Sequence, residues 1–124
     1  MNRKSTSGFK RAAPSPPLDA ETLEIRTRDG VTLSATVYEP ADASQTRTVV
    51  MAHAMFARQS AFRWLAPAYR ERGWRVITFD FRGHGKSPCA SYGYDDFVEK
   101  DLSAVVECAR ARSEGPVALL GHSL

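Results

Sequence analysis

The sequence predicts an α/β fold in which an antiparallel hairpin leads into parallel strands with flanking helices. Three observations predict it. Around Asp29-Gly30, apolar and polar residues alternate with period two on both sides. Further on, residues 48–52, 75–79 and 116–120 are short, nearly continuous apolar runs. Between those runs lie two longer stretches whose apolar residues recur at helical spacing. Strands buried on both faces read as continuous apolar runs, and strand–helix alternation builds a parallel sheet with helices on its faces. A length of 124 residues bounds this to one modest domain.

Residues 1–20 are rich in Ser, Pro and basic side chains, with Pro14, Pro16 and Pro17 close together. Such a stretch buries too little apolar surface to offset its ordering entropy. It reads as a disordered arm, with residues 21–124 as the folded part. Leu23, Ile25 and Thr27 alternate with Glu24, Arg26 and Arg28, giving a half-buried strand. Asp29-Gly30 is a hairpin turn signal. Val31, Leu33, Ala35 and Val37 then form the inward face of the returning strand. The run 48–52 is expected to be a central strand.

A helix is expected over 60–72 from Phe62, Leu65, Ala66 and Tyr69, with Gly73 as its stop. Pro67 removes a hydrogen bond there, so the helix either splits in two or starts late. The strand 75–79 runs into a glycine-rich loop, 80–88. A second helix is expected over 96–112, capped by Asp95 or Asp96, with Asp96 and Glu99 as a capping-box variant. Its apolar stripe is Val98, Leu102, Val105, Val106 and Ala109. Gly115-Pro116 opens the last run, expected to be a buried strand.

Charge excludes one class of partner. The formal net charge is +3. Residues 1–20 carry Arg3, Lys4, Lys10 and Arg11 against Asp19, which accounts for all of it. A nucleic-acid binder needs a basic footprint on the folded domain, and residues 21–124 are balanced, so no nucleic-acid partner is expected. Cys89 and Cys108 form neither a disulfide framework nor a zinc pattern. No metal and no cofactor are expected. No apolar run approaches the ~20 residues of a membrane span. No apolar segment follows the basic N-terminus either, so a cytoplasmic location is expected.

The loop Gly83-His84-Gly85-Lys86-Ser87 invites a phosphate-loop reading, which fails. A Walker motif needs glycine where Asp80 stands, and a carboxylate in the cradle repels phosphate. Pro88 follows where a helix should begin, and it also breaks the dinucleotide fingerprint. Gly121-His122-Ser123-Leu124 is the more informative stretch. Alone it reads as a strand end running into a turn. With the strand before it, it matches the opening of the G-x-S-x-G nucleophile elbow, whose closing glycine would be residue 125. His53-Ala54-Met55, the loop 80–88 and Ser123 all fall at carboxyl ends of strands, where parallel sheets gather their ligand chemistry.

Over residues 22–124 this layout resembles the N-terminal part of the α/β-hydrolase fold. The carrying residues are His53-Ala54-Met55, Asp80-Phe81-Arg82-Gly83-His84-Gly85-Lys86-Ser87 and Gly121-His122-Ser123-Leu124. The middle motif is similar to the D-x-R-G-x-G-x-S loop of bacterial serine hydrolases of the esterase, monoacylglycerol-lipase and serine-aminopeptidase kind. The resemblance implies that Ser123 is the nucleophile. It implies that the backbone N–H groups of Met55 and Leu124 form the oxyanion hole. Each such donor stabilises the tetrahedral intermediate by about 3–4 kcal/mol. Ala54 departs from the family's usual glycine. His53 is expected to hold the oxyanion loop, His84 to brace the glycine-rich turn, His122 to bond locally and Asp80 to brace its loop. None of them is expected to be the general base.

In this family the triad acid and histidine follow the serine, so both are expected beyond residue 124. The chain therefore reads as truncated at the elbow: a fragment or the product of an interrupted frame. By itself it is expected to be inactive on esters, with the strand 116–120 left as an open sheet edge. The expected function is serine hydrolysis of a small-molecule ester or amide, most plainly a carboxylic ester, through an acyl-enzyme. The alternative is a non-catalytic, truncated hydrolase-like remnant or interaction domain that pairs its open edge with another chain.

Overall fold

The computed structural model describes residues 20–42 and 46–123. The arm read over 1–20 lies outside these except for Ala20, which already belongs to the first strand, and Leu124 lies outside them too. Strands β1 (Ala20–Arg26) and β2 (Thr32–Tyr38) pair antiparallel, with Arg26 opposite Thr32. The turn is one residue longer than the Asp29-Gly30 signal implies. Thr27 N–H donates to Val31 O at 2.9 Å, and Gly30 N–H donates to Thr27 O at 3.0 Å. Gly30 has φ 90°, the left-handed residue that closes a three-residue hairpin loop. This loop leaves the Asp29 carboxylate facing Arg82.

Strands β3 (Arg47–Ala52), β4 (Trp74–Phe79) and β5 (Val117–Gly121) complete a five-stranded sheet of order β1-β2-β4-β3-β5. β2 is antiparallel to β4, and β3 is parallel to both β4 and β5. β2 is not the one-faced strand its alternation suggests. Leu33, Ala35 and Val37 are buried on one face, but Thr36 and Tyr38 are buried as well. The reason is its inner position in the sheet, with core on both sides. One core cluster gathers Leu33, Val50, Phe79, Phe81, Phe97 and Val105. The other gathers Tyr38, Val49, Met51, Phe62, Ala66 and Val76.

The helix expected over 60–72 is two pieces, a 3₁₀ turn at Gln59–Phe62 and α1 at Leu65–Glu71. Pro67 is the third residue of α1. The first four N–H groups of a helix have no intrahelical acceptor, so its missing donor costs nothing there. Gly73 ends the segment as expected: it has φ 90° and donates to Arg70 O at 2.9 Å.

The second helix differs more. It runs as α2 (Tyr94–Asp96), a π-helical stretch (Phe97–Leu102) and α3 (Ser103–Arg112). Gly93 is its N-cap, and Asp96 is not the cap but the residue that reaches back to it. Gly93 N–H donates to Asp96 Oδ2 at 2.9 Å, and Asp96 N–H donates to Gly93 O at 3.1 Å. The wide π turn rotates the buried stripe. Phe97 and Asp101 face inward, and Val98 is left 52% exposed. Val105 and Ala109 are buried as the periodicity implies.

β5 is not buried. Among the described residues it pairs with β3 alone, which is the open sheet edge expected of 116–120, and Leu119 is 53% exposed. A continuous apolar run cannot distinguish an inner strand from an outer one, because the difference lies in the partners.

Candidate active site

β3 and β5 are neighbours, and their register sets Ala52 opposite Gly121. His122 N–H extends the ladder by donating to Ala52 O at 3.1 Å. Ser123 and Met55 thus lie just past the paired carboxyl ends of adjacent parallel strands, two residues and three residues on. Ser123 is exposed and has φ 47°. A left-handed backbone is uncommon for serine and marks a sharp turn at the strand end. Met55 is half-buried and packs against the Phe79–Phe81 core. The structure brings these two expected site residues to one place. The third, Leu124, lies outside the described residues.

The loops after β3 and β4 are tied together by two imidazoles, one from each loop. His53 is fully buried. Its Nδ1–H donates to Ala54 O at 2.7 Å, and its Nε2 accepts from Phe81 N–H at 3.1 Å. His84 Nδ1–H donates to Arg82 O at 3.0 Å, and its Nε2 accepts from Phe56 N–H at 3.0 Å. The ring centroids are 5.2 Å apart. Both nitrogens of each ring are occupied, so neither ring is available to take a proton from Ser123. The loop-bracing roles expected of His53 and His84 agree with these contacts.

Burial pushes the His53 imidazole below the ordinary histidine value of about 6.5, and the nearby His84 adds to the shift. The unfolded chain therefore binds a proton below that value while the folded protein does not. Stability on this account is full above about pH 6.5 and falls as the pH drops from there toward the folded value. Thermal melts between pH 7.5 and 5.5 are expected to show this loss. His53→Gln is expected to flatten the slope while lowering the melting temperature at every pH.

Asp80 is buried, and both carboxylate oxygens are engaged. Oδ1 accepts from Gln59 N–H at 2.8 Å, and Oδ2 accepts from Lys86 N–H at 3.0 Å and from Gln59 Nε2 at 3.1 Å. Gln59 Oε1 accepts from Thr78 Oγ1 at 2.7 Å. Asp80 is thus a brace between the 3₁₀ turn and the glycine loop. Gln59 carried no signal in the sequence, because its partners are about twenty positions away. The same contacts explain Gly85. It has φ 50°, and a Cβ there would lie 2.4 Å from Asp80 Cγ. Gly85→Ala is expected to cost at least about 2 kcal/mol by urea unfolding. Gly30→Ala, where nothing lies within 4 Å of the added carbon, is expected to cost less.

Arg82 anchors the loop to the rest of the domain. It is buried, with Nε donating to Asp101 Oδ1 at 2.8 Å and its own N–H donating to Asp101 Oδ2 at 2.8 Å. Nη1 and Nη2 donate to the two oxygens of Asp29 at 2.9 and 3.0 Å. The Arg82 bonds, helped by the Thr27 hydroxyl, hold the Asp29 carboxyl well below the usual carboxylate range. Burial pushes the Asp101 carboxyl up while the Arg82 bonds pull it down. Arg82 itself is pushed up, chiefly by Asp29. Burial is the larger influence and leaves the Asp101 carboxyl above its ordinary value, with the guanidinium and the backbone of Arg82 each bonding one of its oxygens. Lys100 joins through Asp96 at 3.0 Å.

An open groove of about 550 Å³ lies away from Ser123, lined by Ile25, Arg26, Arg28, Lys100 and Ser103 among others. No helix among the described residues is long and apolar enough to cross a membrane.

Comparison with known proteins agrees with this geometry. The chain is 29% identical over 111 residues to a serine hydrolase-like protein of Dictyostelium discoideum, covering 86% of this chain and 29% of that protein. It is 30% identical over 101 residues to the sn-1-specific diacylglycerol lipase ABHD11 of Danio rerio, covering 81% of this chain and 30% of the relative. Among solved structures, it superposes with a TM-score of 0.70 on an α/β serine hydrolase without a lid from Xanthomonas campestris. That match has 29% identity and covers 89% of this chain and 53% of the other. An esterase of Pyrococcus furiosus gives a TM-score of 0.66 at 27% identity, covering 82% of this chain and 41% of that one. The chain thus spans less than a third of these curated relatives and about half or less of these solved structures. A family model matches residues 49–124, from β3 through the strand that leads to Ser123, and by that match the chain belongs to the alpha/beta hydrolase family.

Proposed function

We propose that this chain carries the nucleophile half of a serine hydrolase that cleaves carboxylic esters through an acyl-enzyme. The observation that carries the reading is the left-handed Ser123 just beyond β5, level with the Met55 loop on the adjacent strand. The relatives add support: one is described as a serine hydrolase-like protein, one as a diacylglycerol lipase and one as an esterase.

In this reading Ser123 Oγ attacks the ester carbonyl carbon. Its proton passes to a general base as the C–O bond to Oγ forms. The bond to the alcohol then breaks, and the alcohol oxygen takes that proton. Water repeats the attack on the acyl-enzyme and releases the acid. The negative oxygen of each intermediate is met by backbone N–H groups, of Met55 from the β3 loop and of Leu124 directly after the nucleophile. Such donors act because they are already aimed where charge develops. Neither His53 nor His84 is the base. Backbone donors make Met55 and Leu124 matter by position rather than by side chain.

The test is pre-steady-state kinetics on the full-length protein as its native source makes it, with p-nitrophenyl acetate. A burst of nitrophenol equal to the enzyme concentration, followed by slower steady turnover, is expected for an acyl-enzyme. Turnover by a route that keeps its rate in the Ser123→Ala variant would withdraw the proposal.

A further inference from the structure

We infer that His84 is a positioning residue for the oxyanion hole, acting on the Met55 donor through the backbone of Phe56. The inference rests on the proposed role of Met55, and it follows from the two peptide units that flank the Met55 Cα.

The described chain contains no cis peptide, so within each unit the C=O and the N–H point in opposite directions. The first unit joins Ala54 C=O to Met55 N–H. Its oxygen is fixed twice, by His53 Nδ1–H at 2.7 Å and by Ala57 N–H at 3.0 Å. The Met55 N–H must therefore point away from both. The second unit joins Met55 C=O to Phe56 N–H. Its N–H is fixed once among the described contacts, by His84 Nε2 at 3.0 Å. With both planes held, the backbone angles on either side of the Met55 Cα are set. Releasing the second plane loosens the turn that carries the Ala57 N–H to Ala54 O, so that His53 alone holds the first plane and the Met55 N–H can tilt from its aim.

Phe56 shows that this restraint is needed. It has φ 67°, a left-handed conformation that a bulky residue rarely adopts, and its side chain is 88% exposed. Burial of the Phe56 ring therefore does not hold the turn. The hydrogen bond to His84 does, with the Ala54–Ala57 turn beside it. His84 is well placed for the task. Its Nδ1–H is committed to Arg82 O, which leaves Nε2 as the acceptor. Its ring is packed among His53, Phe97 and Tyr92, with centroids 5.2, 5.7 and 6.1 Å away. Arg82 is in turn anchored by Asp101 and Asp29. The orientation of one peptide in the β3 loop is thus referred, through one imidazole, to a residue of the β4 loop that two carboxylates anchor.

The test compares His84→Phe, which keeps a ring but loses the acceptor, with His84→Gln, whose amide oxygen can replace Nε2. Both are made in the full-length protein and assayed on a p-nitrophenyl ester beside Ser123→Ala. His84→Phe is expected to lower kcat about ten- to a hundredfold with KM within about twofold, because a misaimed donor is lost only in the transition state. His84→Gln is expected to recover most of that loss. Loss of activity in Ser123→Ala with normal kcat in His84→Phe would overturn this inference and leave the proposed function standing. Activity that survives Ser123→Ala would overturn the proposed function itself. Equal impairment of the two His84 variants, tracking their loss of melting temperature, would reduce His84 to a purely structural role. Should His84→Phe not fold, the unmutated protein decides. Long-range ¹H–¹⁵N spectra are expected to give His84 as the Nδ1–H tautomer, and an Nε2–H tautomer would overturn the bond on which the inference stands.

Discussion

Ser123→Ala in the full-length protein is expected to lower kcat for ester hydrolysis by at least about 10⁴-fold, with the fold unchanged. Removing the nucleophile of a serine hydrolase leaves only binding and oxyanion stabilisation, and losses of about 10⁴–10⁶ are the usual scale. The fold should not change, because the Ser123 side chain is exposed and no described contact depends on its hydroxyl. Circular dichroism and a thermal melt beside the kinetic assay separate the two effects. A variant that keeps a tenth of the wild-type kcat would mean that Ser123 is only the first residue of a turn.

The largest stability effect is expected at Asp101. Asp101→Ala leaves the buried Arg82 guanidinium without the carboxylate that accepts both its Nε–H and its backbone N–H. Breaking one side of a buried ion pair costs about 3–5 kcal/mol, since the remaining charge stays in a poor solvent. Removing both charges together costs less, so Arg82→Met with Asp101→Leu is expected to be more stable than Asp101→Ala alone. Urea unfolding of the three proteins measures this. An Asp101→Ala cost under about 1 kcal/mol would show that Asp29 alone satisfies Arg82. The exposed end of the same network should matter less: Lys100→Ala removes a solvent-screened contact to Asp96 and is expected to shift the urea midpoint far less than Asp101→Ala.

The features legible in the sequence are those set by local pattern. Period two around Asp29-Gly30 marks the hairpin, and continuous apolar runs mark β3 and β4. Gly73 marks a helix end because a left-handed residue is needed there, and that need is local. The positions of Met55 and Ser123 were legible for the same reason, since strand ends follow from strand runs. The features that were not legible depend on partners far away in the chain. Asp101 reads as a polar residue on a helix, and nothing nearby says that Arg82, nineteen positions back, needs it inside. The π turn that carries Asp101 inward also moves Val98 out, which a fixed helical period cannot anticipate. Gln59 is paired with Asp80 and Thr78 only once the sheet has formed. The open edge at β5 was expected from the chain order, but the burial read from the apolar run 116–120 was not met, because an edge strand with one partner leaves its side chains exposed. The left-handed Phe56 is opaque as well, because its cause is a histidine in another loop.

Active-site titration tests the central claim most directly. The full-length protein from its native source is treated with a fluorophosphonate, digested, and its peptides are read by mass spectrometry. The account predicts one phosphonate per molecule, carried on Ser123 and lost in Ser123→Ala. A protein that hydrolyses esters while its phosphonate sits on another residue, or while Ser123 stays unmodified, would contradict it.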